Sequence, residues 1–88
     1  MRKDIDLILK EIIKITALEG LGTEIDIEDI NDDIDLIDDL GFHSIVMIRF
    51  VVAIEEVLGV EIDEDDLYNG FLTKYSRLKD YLKKNVNN

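Results

Sequence analysis

Eighty-eight residues without a cysteine make one small domain and exclude a disulfide framework or a thiolate metal site. The formal net charge of −11 is concentrated: residues 15 to 73 hold 17 of the 21 acids and one base, Arg49. So acidic a middle repels phosphate backbones, which sets nucleic-acid binding aside, and it favours encounter with basic protein surfaces.

The chain opens "MRKDIDLILKEI", with bases ahead of apolar residues, but Asp4, Asp6, Lys10 and Glu11 interrupt the run. It does not read as a secretory leader. No apolar run approaches the roughly 20 residues a bilayer span needs, so no membrane contact and a cytoplasmic location are expected. From Asp4 to Leu18, Ile5, Ile8, Leu9, Ile12, Ile13 and Ile15 recur near the 3.6-residue period, which predicts an amphipathic helix. The stretch "EGLG" ends it, with Gly20 or Gly22 able to take the left-handed stop conformation.

Residues 23 to 43 form a long acidic stretch with apolar anchors at Ile25, Ile27, Ile30, Ile34, Leu36, Ile37 and Leu40. A structureless loop of that length is unusual in a small domain. The anchors are expected to fold back onto the helices, with a short turn around "DLIDDL". The carboxylates there do not make an EF-hand: a loop starting at Asp26 has Asn31 where glycine belongs and Ile37 where glutamate belongs. Non-specific divalent binding that relieves repulsion is compatible with them.

A second helix is expected over Ser44–Leu58, "SIVMIRFVVAIEEVL", with Gly59 as its stop. Its only charges are Arg49, Glu55 and Glu56, so most of its faces are expected to be covered. A short third helix is expected at "EDDLYNGFL", capped by Asp63 or Glu64, and a last one over Thr73–Lys84 with Leu78, Tyr81 and Leu82 as its stripe. Lys83 and Lys84 suit the negative end of its dipole. The fold class read from this pattern is all-α: three main helices and a short one in a small bundle over residues 1–84, with 85–88 as a frayed tail.

The segment "DDLGFHSIVM" puts Ser44 directly behind His43, the only histidine. A Ser-His hydrolase does not follow, because there is no G-x-S-x-G elbow and sequence neighbours do not orient an imidazole onto the adjacent hydroxyl. His43 alone makes no transition-metal site. Two readings of Ser44 remain on the residues themselves. It is a helix N-cap, although Met47 stands where a capping box wants Glu or Gln. Or it is a modified residue, whose phosphate would sit at the positive end of a long helix.

The ordered set "DLIDDLGFHSIVMIRFVVAIEEVLGVEIDEDDL" resembles the central half of an acyl or peptidyl carrier protein, and "FLTKYSRLKDYLKK" resembles the final helix of that family. The resemblance covers about residues 30 to 84. It implies a non-enzymatic carrier of acyl or aminoacyl thioesters on a 4′-phosphopantetheine arm. A phosphopantetheinyl transferase would attach that arm to Ser44 from coenzyme A. The implied partners are that transferase and acyl- or aminoacyl-loading and condensing enzymes with basic docking surfaces, met by a monomeric carrier. Ser44–Leu58 matches the recognition helix, with Asp39, Ile45, Ile48, Arg49, Glu55 and Glu56 as candidate contacts and Ala53 leaving room for an acyl chain.

Three departures bear on subclass. His43-Ser44-Ile45 stands where fatty-acid carriers read Asp-Ser-Leu, Phe42 replaces the second glycine of the peptidyl-carrier pattern, and Val46 and Arg49 replace acids. They point away from housekeeping fatty-acid enzymes and towards a discrete carrier of a dedicated polyketide, peptide, siderophore or lipid-modifying pathway. The alternative is an unmodified acidic helical adaptor in which Ser44 is only a cap.

The crowded acids generate a stability prediction. Self-repulsion should leave the fold marginal at low ionic strength. Added salt or magnesium is therefore expected to raise the melting temperature, and melting indifferent to both would refute this account of the charge.

Overall fold

Asp4 starts the first helix by capping it: its Oδ1 accepts from the Leu7 amide at 3.0 Å. In the computed structural model, which describes residues 4–63, 65–66 and 72–86, this helix is α1 (Ile5–Leu21). It buries Ile5, Leu9, Ile12, Ile13, Thr16 and Ala17. It runs three residues past the expected end and stops at Gly22, which takes φ 66°. The Gly22 and Thr23 amides turn back onto the Leu18 and Ala17 carbonyls at 3.0 and 3.1 Å.

The acidic stretch does fold back. Ile30 and Leu36 are fully buried, and Ile25, Ile34, Ile37 and Leu40 pack partly buried against the same core. Its local structure is a 3₁₀ turn, Ile27–Asp29, then turns over residues 36–40. α2 (Ser44–Leu58) coincides with the sequence boundaries and ends at Gly59, φ 67°. The last helix, α3 (Tyr75–Asn85), reaches one residue beyond Lys84, and Val86 is buried behind it. Of the expected short helix, Asp65 and Asp66 are described and helical, and Leu72 is a fully buried turn residue rather than a helical one; the rest of that expectation lies outside the described residues, as do residues 87–88. Three main helices and no strand beyond an isolated bridge between Asp35 and Lys74 make the described fold all-α.

One expectation about α2 is corrected. Met47, Phe50, Val51, Ile54 and Leu58 are buried, yet Ile45, Ile48, Val52 and Val57 are 71%, 50%, 45% and 53% exposed. α1 is the element that packs against both α2 and α3, so α2 has one covered side and presents the other to solvent.

Tyr75 ties the ends of the chain together. Its ring is fully buried, and its hydroxyl donates to Asp6 Oδ1 at 2.6 Å and to the Asp6 carbonyl at 3.1 Å. Lys10 and Lys79 pair with the Asp6 carboxylate at 3.2 and 3.6 Å, and Lys79 reaches Asp32 at 2.8 Å. The Tyr75 hydroxyl, then the two lysines, hold the Asp6 carboxyl below the usual carboxylate value against the opposing effect of burial. Burial first, then the Asp6 carboxylate, push the Tyr75 phenol well above its ordinary value, so it stays a donor. Tyr75 joins Leu78 and Leu82 on the buried side of α3 and lies outside the stripe expected from Leu78, Tyr81 and Leu82.

A depressed folded pKa stabilises above the unfolded value, here 3.8, and that stabilisation fades as pH falls through the lowered folded value. Tyr75→Phe removes the main cause of the depression. It is expected to lower stability by about 1 kcal/mol at neutral pH and to shrink the Asp6 contribution to acid destabilisation below about pH 4. Urea unfolding of both proteins at neutral and acid pH checks this; parallel losses would refute it.

Candidate functional site

Ser44 is positioned by what precedes it. Asp35 organises the turn over 36–40: its Oδ1 accepts from the Ile37 and Asp38 amides, both at 2.9 Å, and its Oδ2 from the Thr73 hydroxyl at 3.1 Å. Asp39 returns the cap, its Oδ2 accepting from the Asp35 amide at 2.8 Å. Burial works against the Asp35 charge, but the Asp38 amide, Thr73 hydroxyl and Ile37 amide outweigh it and leave the carboxyl below its ordinary value. The backbone bonds Leu36 N–H to Thr73 O and Tyr75 N–H to Ile34 O, both 2.8 Å, fasten this turn to the start of α3.

Gly41 then reverses the chain with φ 76°, a conformation that glycine adopts without strain. Phe42 drops into the core, fully buried, with its amide on the Leu36 carbonyl at 2.9 Å. Its ring meets Phe50 edge-on, centroids 5.4 Å apart at 62°. Phe42 is thus the anchor of the site. Its signal was present in the sequence, as the only aromatic before Phe50.

The N-cap reading of Ser44 is corrected by the backbone. His43 occupies the cap position, φ −106° and ψ 156°, and its carbonyl accepts from Val46 at 3.0 Å and Met47 at 3.4 Å. The His43 side chain makes no capping hydrogen bond. Ser44 is exposed at the first helical position with φ 47°, the only described non-glycine residue at positive φ. An L-residue there carries about 1–2 kcal/mol of strain, and such strain concentrates at functional positions. Its hydroxyl has no hydrogen-bond partner among the described residues. A free, exposed oxygen at the positive end of a 15-residue helix fits a covalently held phosphate.

The other candidates divide. Ile45, Ile48, Arg49 and Glu56 are exposed on α2, so core packing does not explain the two isoleucines. Glu55 is half-buried, and its Oε2 accepts from the Ile62 amide at 3.0 Å, tying the chain after Gly59 to α2. Asp39 is exposed but serves the turn described above. His43 is exposed. Ala53 does not lie inside the bundle: with Ile12, Ile15 and Val57 it lines an open groove of about 230 Å³ between α1 and α2, with Glu19 and Arg49 at its edge.

These geometries generate two predictions. Ser44→Ala should change stability by no more than a few tenths of a kcal/mol, and Ser44→Gly should stabilise by up to about 1 kcal/mol, because no cap is lost and strain is relieved. A loss near 1 kcal/mol in the alanine variant would restore the cap. Phe42→Ala should cost about 3–5 kcal/mol in denaturant unfolding; a loss under 1 kcal/mol would remove Phe42 as the anchor.

Residues 8–82 match the family model described as a phosphopantetheine attachment site. An acyl carrier protein of Desulforapulum autotrophicum is 38% identical over 56 residues, 64% of this chain and 70% of that protein. One from Solidesulfovibrio magneticus is 36% identical over 56 residues, 64% and 69% of the two chains. The acyl carrier protein AcpP of Rhizobium meliloti is 37% identical over 57 residues, 65% and 70%. With three helices around one core and a free serine at the start of the second, the chain belongs to the acyl carrier proteins that bear covalently attached 4′-phosphopantetheine.

Proposed function

We propose that Ser44 is the residue that takes the arm, and that the protein is a monomeric tether in a dedicated biosynthetic pathway. The observation that supports this most directly is the Ser44 hydroxyl, exposed, without a hydrogen-bond partner among the described residues and held at the start of α2 by buried Phe42. In the transfer, Ser44 Oγ attacks the pantetheine-bearing phosphorus of coenzyme A. A P–O bond forms to serine, the pyrophosphate P–O bond breaks, adenosine 3′,5′-bisphosphate leaves, and a base on the transferase takes the serine proton. When bound, the arm supplies a thiol for thioester linkage of an acyl or aminoacyl group.

The chain's own part is placement. The positive end of α2 stabilises the anionic phosphodiester, and the tether raises the local concentration of cargo at each enzyme's active site. The acids of the middle segment steer basic surfaces towards it in a salt-dependent way. The family works with a phosphopantetheinyl transferase and biosynthetic enzymes; loading and condensing enzymes are the proposed partners. His43, Val46 and Arg49, in place of the usual acids and Asp-Ser pair, support a dedicated pathway over housekeeping fatty-acid synthesis. Among the described residues no helix is long and apolar enough to cross a membrane.

Incubation with coenzyme A, magnesium and a broad-specificity phosphopantetheinyl transferase is expected to add one phosphopantetheine to the intact mass. Ser44→Ala should remain unmodified while folded. Modification of that variant would move the attachment site elsewhere.

A further inference from the structure

We infer that the surface beside Ser44 docks onto an apolar enzyme patch carrying a carboxylate that Arg49 reads, with the partner's basic groups confined to the rim. The inference rests on the proposal that Ser44 bears the arm, because only then must successive enzymes approach this end of α2.

Ile45, Ile48, Arg49 and Val52 are spaced by three, one and three residues, which puts them on one helix face. The three apolar side chains are 71%, 50% and 45% exposed. Scattered exposed apolar residues are ordinary, but branched side chains clustered on successive turns have the character of an interface core. Arg49 stands among them, exposed. It has no ion pair or hydrogen bond among the described residues. Glu19 borders the same groove without pairing with it.

The local charge is opposite to that of the chain as a whole. No acid lies between Ser44 and Ile54, and Glu55, the first, is held by the Ile62 amide. Asp38 and Asp39 precede the site and Glu56 lies three turns along α2, so the carboxylates sit at the edges. A guanidinium covered by an apolar partner without a counter-charge is penalised by desolvation. A lysine or arginine opposite it adds repulsion. A carboxylate accepts its fork of donors and satisfies it. Charge complementarity therefore selects an apolar protein face with an acid at its centre and bases around it.

The test uses the full chain after loading, with Arg49→Gln and Arg49→Glu variants beside it. The probe is a condensing enzyme of known structure with a wholly basic docking face, and kcat/KM for acyl transfer is measured against salt. Arg49→Glu is expected to raise kcat/KM about tenfold at low salt, with Arg49→Gln between. Changing a lysine at the centre of that face to glutamate should invert the order and make the wild type the best substrate. Equal values across the three carriers, or an order unmoved by the change in the enzyme, would overturn the inference. So would a wild-type dimer that Ile48→Ser dissolves, which would give the face to a second copy of the chain. Intact mass is taken first: a wild type without the arm counts against Ser44, whereas normal loading with a flat charge series counts against the docking inference alone.

Discussion

The burial of Phe42 is the constraint on which the site depends. A side chain with no exposed surface, edge-on to Phe50 and tied through its amide to Leu36, leaves the chain little freedom two residues later. Gly41 makes the reversal that sends Phe42 inward, and His43 is left as the backbone cap of α2. Ser44 then emerges in a left-handed conformation, with its hydroxyl in solvent. The core energy of an aromatic pair, rather than any hydrogen bond from serine, holds this oxygen in solvent, which is the placement the proposed attachment requires.

A second set of polar contacts closes the fold around that arrangement. Asp35 caps the turn before Gly41 and bonds to Thr73, while Tyr75 next to it reaches Asp6 at the start of α1. Residues far apart in sequence thus converge below the acidic stretch. This is how a segment with many carboxylates stays ordered: a few are used as local caps or paired with Lys10 and Lys79, and the others face water. Those left in water supply the long-range field, so one group of residue types serves the turn geometry and, on the proposed reading, would also steer partner encounter.

On the proposed reading, the exposed face of α2 would serve a different purpose from the field. A carrier must be held by one enzyme and then released to the next, which suits a modest apolar contact better than a large obligate interface. Ile45, Ile48 and Val52 are exposed beside Ser44 with Arg49 among them, and on the proposed reading they would form such a contact. Field and contact act at different ranges. The field acts across a Debye length, whereas the contact acts only after water has been expelled.

The helices were legible in the sequence because their signals are local. The 3.6-residue spacing of α1 and the stop glycines, of which Gly22 rather than Gly20 ends α1 and Gly59 ends α2, need no distant partner to act. The boundaries of α2 and the inward fold of the 23–43 anchors followed from the same patterning, whereas the family resemblance rests on the ordered motifs around Ser44 and in the last helix. What the sequence alone could not determine is which side of an almost wholly apolar helix is covered. That depends on where α1 lies, and it leaves Ile45 and Ile48 in solvent and Ala53 at the edge of a groove. Nor could it determine that Ser44 lies beyond the cap, or that Glu55 is engaged by Ile62, seven residues away. These are decisions of tertiary structure, because burial and backbone strain are set by neighbours that sequence distance does not reveal.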